Sequence, residues 1–141
     1  MKKTASAAWS GGLKDGKGTV STDTGVLRDA PYGFRSRFED GPGTNPEELL
    51  GAAHAGCYTM ALAAGLEQAG FTAEHIDTKA VVTLDKDGDG FAITTVDLTN
   101  RTKAPGIDAA TFDRIAKATK EGCPVSKVLK AKITLDAQLV S

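Results

Sequence analysis

Short alternating runs, one long apolar rod and a second group of alternations divide the 141-residue chain. Ala5 to Trp9 and Gly18 to Thr22 predict two short strands, joined as a hairpin by the turn-rich Ser10 to Lys17. Tyr32 to Phe38 also alternates, with Tyr32, Phe34, Ser36 and Phe38 on one face and Gly33, Arg35, Arg37 and Glu39 on the other. A strand is expected there, with its two arginines sharing a face. Asp40 to Thr44 is a loop that leads into Asn45 to Ala69, the stretch around which the rest is organised. Asn45 caps a helix, Pro46 fits its first turn and Glu48 stands three residues after the cap. Leu49, Leu50, Ala53, Cys57, Met60, Ala61 and Ala64 recur at helical spacing, and the polar residues needed for a solvated face are missing from Leu49 to Ala64. The helix is expected to be buried nearly all round. Gly51, Gly56 and Gly65 each weaken it by roughly 1 kcal/mol relative to Ala, so close packing rather than helix propensity selects them.

After Gly70 the period changes. Ile76 to Leu84 and Phe91 to Thr102 predict a second hairpin, closed by Asp85 to Gly90. Asp108 is a cap for a helix to about Lys120, with Ile107, Phe112, Ile115 and Ala116 as its apolar stripe and Gly122 as its stop. Cys123 and Pro124 have the order of a cap and a first-turn proline, which predicts a short helix through Lys130. Ile133, Leu135, Ala137 and Leu139 alternate with polar neighbours as a closing strand. This order indicates an α+β fold, antiparallel sheets around a long buried central helix, with no internal repeat.

Length favours a single domain over residues 1–141, and swapping into a dimer would bury more apolar surface. A net charge of -1 and the lack of a Lys/Arg block argue against a nucleic-acid partner. The amino terminus has two lysines but no apolar segment behind them, and no run approaches the length that spans a bilayer, so a soluble, cytoplasmic protein without a membrane partner is expected. Two cysteines in such a chain are buried hydrophobes or reactive thiols rather than a disulfide scaffold.

Among candidate chemistries, Asp85 to Gly90 matches the opening of a calcium loop. Its twelfth position is Val96, where a bidentate Glu is required, and a polar hairpin turn is the better reading. Cys57, Cys123, His54 and His75 lack zinc-ligand spacing. His54, three residues before Cys57, is a base for that thiol or a hydrogen-bonding helix residue, the structural role being favoured for a lone His. Cys123, at a helix start, has free amides that favour an anion, whereas apolar neighbours raise the pKa of mid-helix Cys57. Cys57 as nucleophile would need a positive charge from elsewhere, and Arg35 and Arg37 are the candidates nearest in sequence. Glu47 complements the helix dipole, and at about 15 Å along the axis it cannot touch Cys57 in the same helix. The residues alone leave two structural cysteines and a thiol active site equally open.

The segments GKGTVSTDTGVL, PYGFRSRFED, GTNPEELLGAAHAGC, GFAIT, PGIDAATFD and EGCPVSKVLKAKITLDAQL resemble the osmotically inducible protein C family of hydroperoxide reductases. The resemblance covers nearly the whole chain. It implies a thiol-dependent peroxidase built as an intertwined homodimer, with two active sites at the subunit interface. By the same resemblance Cys57 matches the peroxidatic cysteine, Cys123 the resolving cysteine, Arg37 the thiolate-stabilising arginine and Glu47 the carboxylate that orients it. Arg35 is an additional charge beside that arginine. The implied substrates are organic hydroperoxides, with hydrogen peroxide reduced less efficiently, in defence against oxidative and osmotic stress. No bound cofactor or metal is implied, and the reductant is an external dithiol such as a dihydrolipoyl group. The alternative is a noncatalytic stress protein that binds small hydrophobic molecules and carries a structural disulfide.

Overall fold

The computed structural model describes residues 1–141 as six strands and four helices: β1 (Ala5–Ser10), β2 (Lys17–Thr22), β3 (Ala30–Tyr32), α1 (Phe34–Phe38), α2 (Pro46–Gln68), β4 (His75–Asp87), β5 (Gly90–Lys103), α3 (Ala109–Gly122), α4 (Pro124–Val128) and β6 (Lys132–Leu139). Contacts group the chain into two compact units, residues 1–49 and 50–141.

In the first unit β1, β2 and β3 form an antiparallel meander. Its aromatic pair, Trp9 and Tyr32, meets edge-on with ring centroids 5.5 Å apart. Gly18 lies beneath both rings: a Cβ there would stand 2.5 Å from a ring atom of each, so only glycine fits.

The strand expected over Tyr32 to Phe38 is not formed. Tyr32 ends β3, Gly33 is extended, and Phe34–Phe38 is a helical turn. Ser36 explains the change, because its hydroxyl accepts from the Gly33 N–H at 2.9 Å and donates to the Gly33 carbonyl at 3.1 Å. Such local side-chain bonds compete with a sheet ladder. Phe34 and Phe38, which alternation put on one strand face, also lie four apart in a helix and pack with centroids 5.1 Å apart. Two residues along a helix turn about 200°, so Arg35 and Arg37 diverge instead of sharing a face. Asn45 caps α2 as expected, its carboxamide oxygen accepting from the Glu48 N–H at 2.7 Å, while its Nδ2 donates to the Ser36 carbonyl at 2.8 Å.

In the second unit β4, β5 and β6 form one sheet. β4 and β5 are an antiparallel hairpin closed by Gly88 and Asp89, with Gly88 at φ +61°. The Asp85 to Gly90 segment therefore sits largely in the ladder, Asp85 opposite Ala92 and Asp87 opposite Gly90. β6 pairs parallel to β5, from Thr95 opposite Lys132 to Thr102 opposite Leu139. This departs from the antiparallel expectation, and its cause is the connection: α3 and α4 carry the chain back along the sheet, the long crossover a parallel pair requires. Asp108 caps α3 by accepting from the Thr111 N–H at 3.0 Å. α4 ends at Val128, two residues short of the expected Lys130.

The core of this unit consists of Tyr58, Leu62 and Leu66 of α2, Val96 and Leu98 of β5, Ala104 and Ile107 of the following loop, and Phe112 and Ala116 of α3. The Tyr58 hydroxyl donates to the Ala116 carbonyl at 3.3 Å, and Thr59 donates to Thr78 at 2.7 Å. Only one face of α2 is covered. Gly51, His54, Tyr58, Leu62 and Leu66 are buried, whereas Ala52, Ala53, Gly56, Met60, Ala63 and Ala64 are exposed, Met60 at 78%. The expectation of all-round burial thus fails within one chain, because this unit supplies packing partners to a single stripe. At 23 residues, with a mean hydropathy of 1.3 in its most apolar window, α2 is also long and apolar enough to cross a membrane, contrary to the reading that no run approached that length. Its many alanines give it that apolar character.

Leu62 is fully buried at the centre of the stripe. Leu62→Ala is expected to destabilise the fold by about 2–5 kcal/mol, read as a lower urea midpoint at an unchanged slope.

Candidate active site

Arg37 leaves α1 on the side opposite Arg35, and its guanidinium is met by Glu47 in the first turn of α2. Nη2 lies 2.8 Å from Glu47 Oε1, and Nε lies 3.2 and 3.3 Å from the two carboxylate oxygens. This fork-on-fork contact fixes the plane as well as the position of the guanidinium. The Glu47 side chain is only 10% exposed, against 39% for Arg37, so the carboxylate is committed to the pair while the arginine keeps an open side. The guanidinium also stands 5.4 Å from the Phe38 ring centroid. It borders an apolar cavity of about 180 Å³ formed with Trp9, Leu13, Tyr32, Phe34 and Phe38. Arg35 takes no part, pairing at 3.4 Å with exposed Glu39.

In the second unit, residues 66 apart in sequence bring their sulfurs together. Cys57 Sγ, from the middle of α2, and Cys123 Sγ, from the α3–α4 junction, are 2.9 Å apart, one thiol donating to the other. Both are free thiols, Cys57 half-buried and Cys123 fully buried. Burial pushes the Cys57 thiol up, its contact with Cys123 pushes it further, and the Val125 N–H only partly opposes this. Burial also pushes Cys123 up, but there it is outweighed by hydrogen bonds from the Cys57 thiol, the Ser126 N–H and hydroxyl, and the Val125 N–H, and the net direction is down. None of these contacts is a cap bond of full hydrogen-bond geometry between the Cys123 side chain and α4. The same amides nonetheless stabilise charge on it. The two directions are those that the local sequence predicts.

His54 is fully buried one turn before Cys57. Its Nε2 is 2.7 Å from Ser126 Oγ, and its Nδ1 is buried without a hydrogen-bond partner. Burial lowers its pKa, which favours the neutral ring. His75 lies elsewhere, on an exposed pair with Asp77 at 2.8 Å. No group of three or more His, Cys, Asp or Glu side chains stands close enough to hold a metal ion. Ser126 is the residue that sequence reasoning passed over. The available signal was its spacing, three residues after the cap position Cys123, where a capping partner is placed.

Comparison with known proteins agrees with this architecture. A family model described as OsmC-like protein matches residues 39–138. Peroxiredoxin OsmC of Escherichia coli (strain K12) is 60% identical over 141 residues, which cover 100% of this chain and 99% of that protein. Among solved structures, the organic hydroperoxide resistance protein OhrB of Bacillus subtilis superposes with a TM-score of 0.68 at 26% identity, covering 97% of this chain and 98% of its own. An OsmC-like protein of unknown function from Vibrio cholerae shares the fold at a TM-score of 0.78 and 16% identity, over 98% of this chain and 99% of that one. This chain belongs to the OsmC-like protein family.

Proposed function

We propose that this chain is a thiol-dependent peroxidase that reduces organic hydroperoxides, and hydrogen peroxide less efficiently, by a two-cysteine cycle in oxidative and osmotic stress. The observation that carries the reading is the 2.9 Å approach of two free thiols from opposite halves of the second unit. A relative 60% identical over its full length bears the name Peroxiredoxin OsmC, which supports it.

In this scheme the Cys57 thiolate attacks the outer peroxide oxygen, the O–O bond breaks, and the alkoxide leaves as the alcohol. Cys57 is then a sulfenic acid, and Cys123 condenses with it to a disulfide and water. An external dithiol, such as a dihydrolipoyl group, reduces the disulfide by exchange. No metal, flavin or haem enters. The Cys57 thiol is raised by its own surroundings, so its thiolate depends on a supplied positive charge. Arg37 is the group we assign to that task, with Glu47 holding the guanidinium plane. The apolar cavity beside Arg37 supports a hydroperoxide with an apolar substituent.

We further assign a homodimer with its active sites at the interface. The exposed Ala, Gly and Met stripe of α2 is the apolar surface a second copy would cover. Free thiols that must be regenerated suit the reducing cytoplasm.

Stopped-flow oxidation of the reduced protein by cumene hydroperoxide and by hydrogen peroxide, with thiols counted before and after, tests the proposal. Rapid loss of both thiols per chain, faster with cumene hydroperoxide, is the expected result. Slow, unselective oxidation of both would instead favour a noncatalytic protein that binds hydrophobic molecules. In the same experiment Arg37→Ala is expected to slow the first step by about 10–100-fold, the scale of one lost charge-assisted hydrogen bond of ~1.5–3 kcal/mol.

A further inference from the structure

One buried side-chain nitrogen lacks a hydrogen-bond partner. His54 is fully enclosed, bonds Ser126 Oγ through Nε2 at 2.7 Å and has nothing opposite Nδ1. Ser126 is itself buried, stands three residues after Cys123 in the α4 turn, and its hydroxyl is among the groups that favour the Cys123 thiolate. Imidazole, hydroxyl and sulfur therefore follow one another from α2 to the α4 turn.

The unpaired nitrogen gives the line a direction. With the proton on Nε2, His54 donates to Ser126 Oγ, the Ser126 hydroxyl is free to donate onward to sulfur, and Nδ1 buries only a lone pair. The opposite tautomer would bury an unpaired N–H, the costlier defect, and would consume the Ser126 hydroxyl on the ring. A protonated ring is opposed by burial. From α2 the titratable groups around Cys123 are Cys57, Tyr58 and, through Ser126, His54, none of them a fixed positive charge. From α3 and α4, Lys120, Glu121 and Lys127 line the cavity that Ser126 also borders.

We propose that His54 and Ser126 form a directional hydrogen-bond chain, His54 Nε2–H to Ser126 Oγ–H to Cys123 Sγ, that holds Cys123 as the resolving thiolate, His54 acting as a positioning residue through Ser126. The role rests on the peroxidase reading given above. In the resolving step the Cys123 sulfur attacks the Cys57 sulfenic sulfur, the S–S bond forms as the S–O bond breaks, and the departing hydroxide leaves as water with the proton that Cys123 gave up. In the reducing step the same chain makes Cys123 the better leaving group. The external dithiol then attacks Cys57, Cys123 departs as thiolate into the Ser126 hydrogen bond, and the second reductant thiol displaces Cys57.

The test isolates Cys123 in a Cys57→Ser background and follows its thiolate by ultraviolet absorbance against pH. Adding Ser126→Ala is expected to raise the midpoint by about one pH unit, a tenfold change in acidity. Adding His54→Leu is expected to raise it in the same direction. His54→Gln, whose amide nitrogen can stand near the Nε2 position and donate to Ser126, is expected to restore the parent value, which a merely structural role would not predict. A midpoint unmoved by Ser126→Ala, or raised equally by His54→Leu and His54→Gln, overturns the proposal. Ser126→Ala deletes one oxygen and keeps the test decisive if a His54 variant does not fold. The titration uses no peroxide, so failure of the chain and failure of the peroxidase reading give separate results.

Discussion

In Cys57→Ser, steady-state consumption of cumene hydroperoxide is expected to fall to the uncatalysed rate, a loss of at least about 10³-fold. A serine oxygen at this position is a weaker nucleophile and does not form the sulfenic acid on which the cycle depends. Sulfur-to-oxygen exchange at a half-buried residue removes little packing, so the folded protein remains available for the measurement. Residual Cys123 does not rescue the cycle, because its sulfur is fully buried and its acidity is tuned by its neighbours rather than by access to substrate. Undiminished turnover in this variant would sink the scheme.

Cys123→Ser is expected to separate the two halves of the reaction. The reduced variant should consume about one equivalent of hydroperoxide per chain and then stop, since Cys57 sulfenic acid forms but finds no thiol. Mass spectrometry should show one added oxygen on Cys57, followed by a second as excess peroxide carries it to the sulfinic acid. In the wild type the sulfurs already touch at 2.9 Å, so resolution needs only side-chain adjustment and should precede that second oxidation. Continued cycling with external dithiol in Cys123→Ser would show that resolution does not pass through this residue.

What the sequence disclosed follows from how local each signal was. The start of α2 was legible because cap, first-turn proline and third-position glutamate act within four residues, and Asn45 and Glu48 make the predicted bond. The Tyr32 to Phe38 segment was not, because aromatics at Phe34 and Phe38 satisfy both a two-residue and a four-residue period. The choice fell to a hydroxyl on Ser36, a polar residue that a hydrophobic pattern cannot weigh. With it went the shared arginine face: Arg37 found Glu47 and Arg35 found Glu39. The direction of β6 was invisible because alternation is the same in parallel and antiparallel strands. For the site, the acidity contrast of the two cysteines could be read from their immediate neighbours. Their meeting could not be read from those neighbours, since 66 residues separate them, and only the family resemblance implied it. In sequence His54 is a lone histidine, and its significance depends on Ser126, a partner 72 residues away.

The parallel attachment of β6 carries a consequence for the birth of the protein. Its side-chain tie to β5, the 2.6 Å bond from Thr134 to Asp97, spans 37 residues, and nothing between them can substitute for β6 in the sheet. At about 5–20 residues per second, a ribosome takes roughly 2–7 s to make that interval. Throughout it β5 presents an unpaired backbone edge, with Val96 and Leu98 still waiting for their final cover. A nascent chain paused between β5 and β6 is therefore the species most exposed to pairing with the wrong strand.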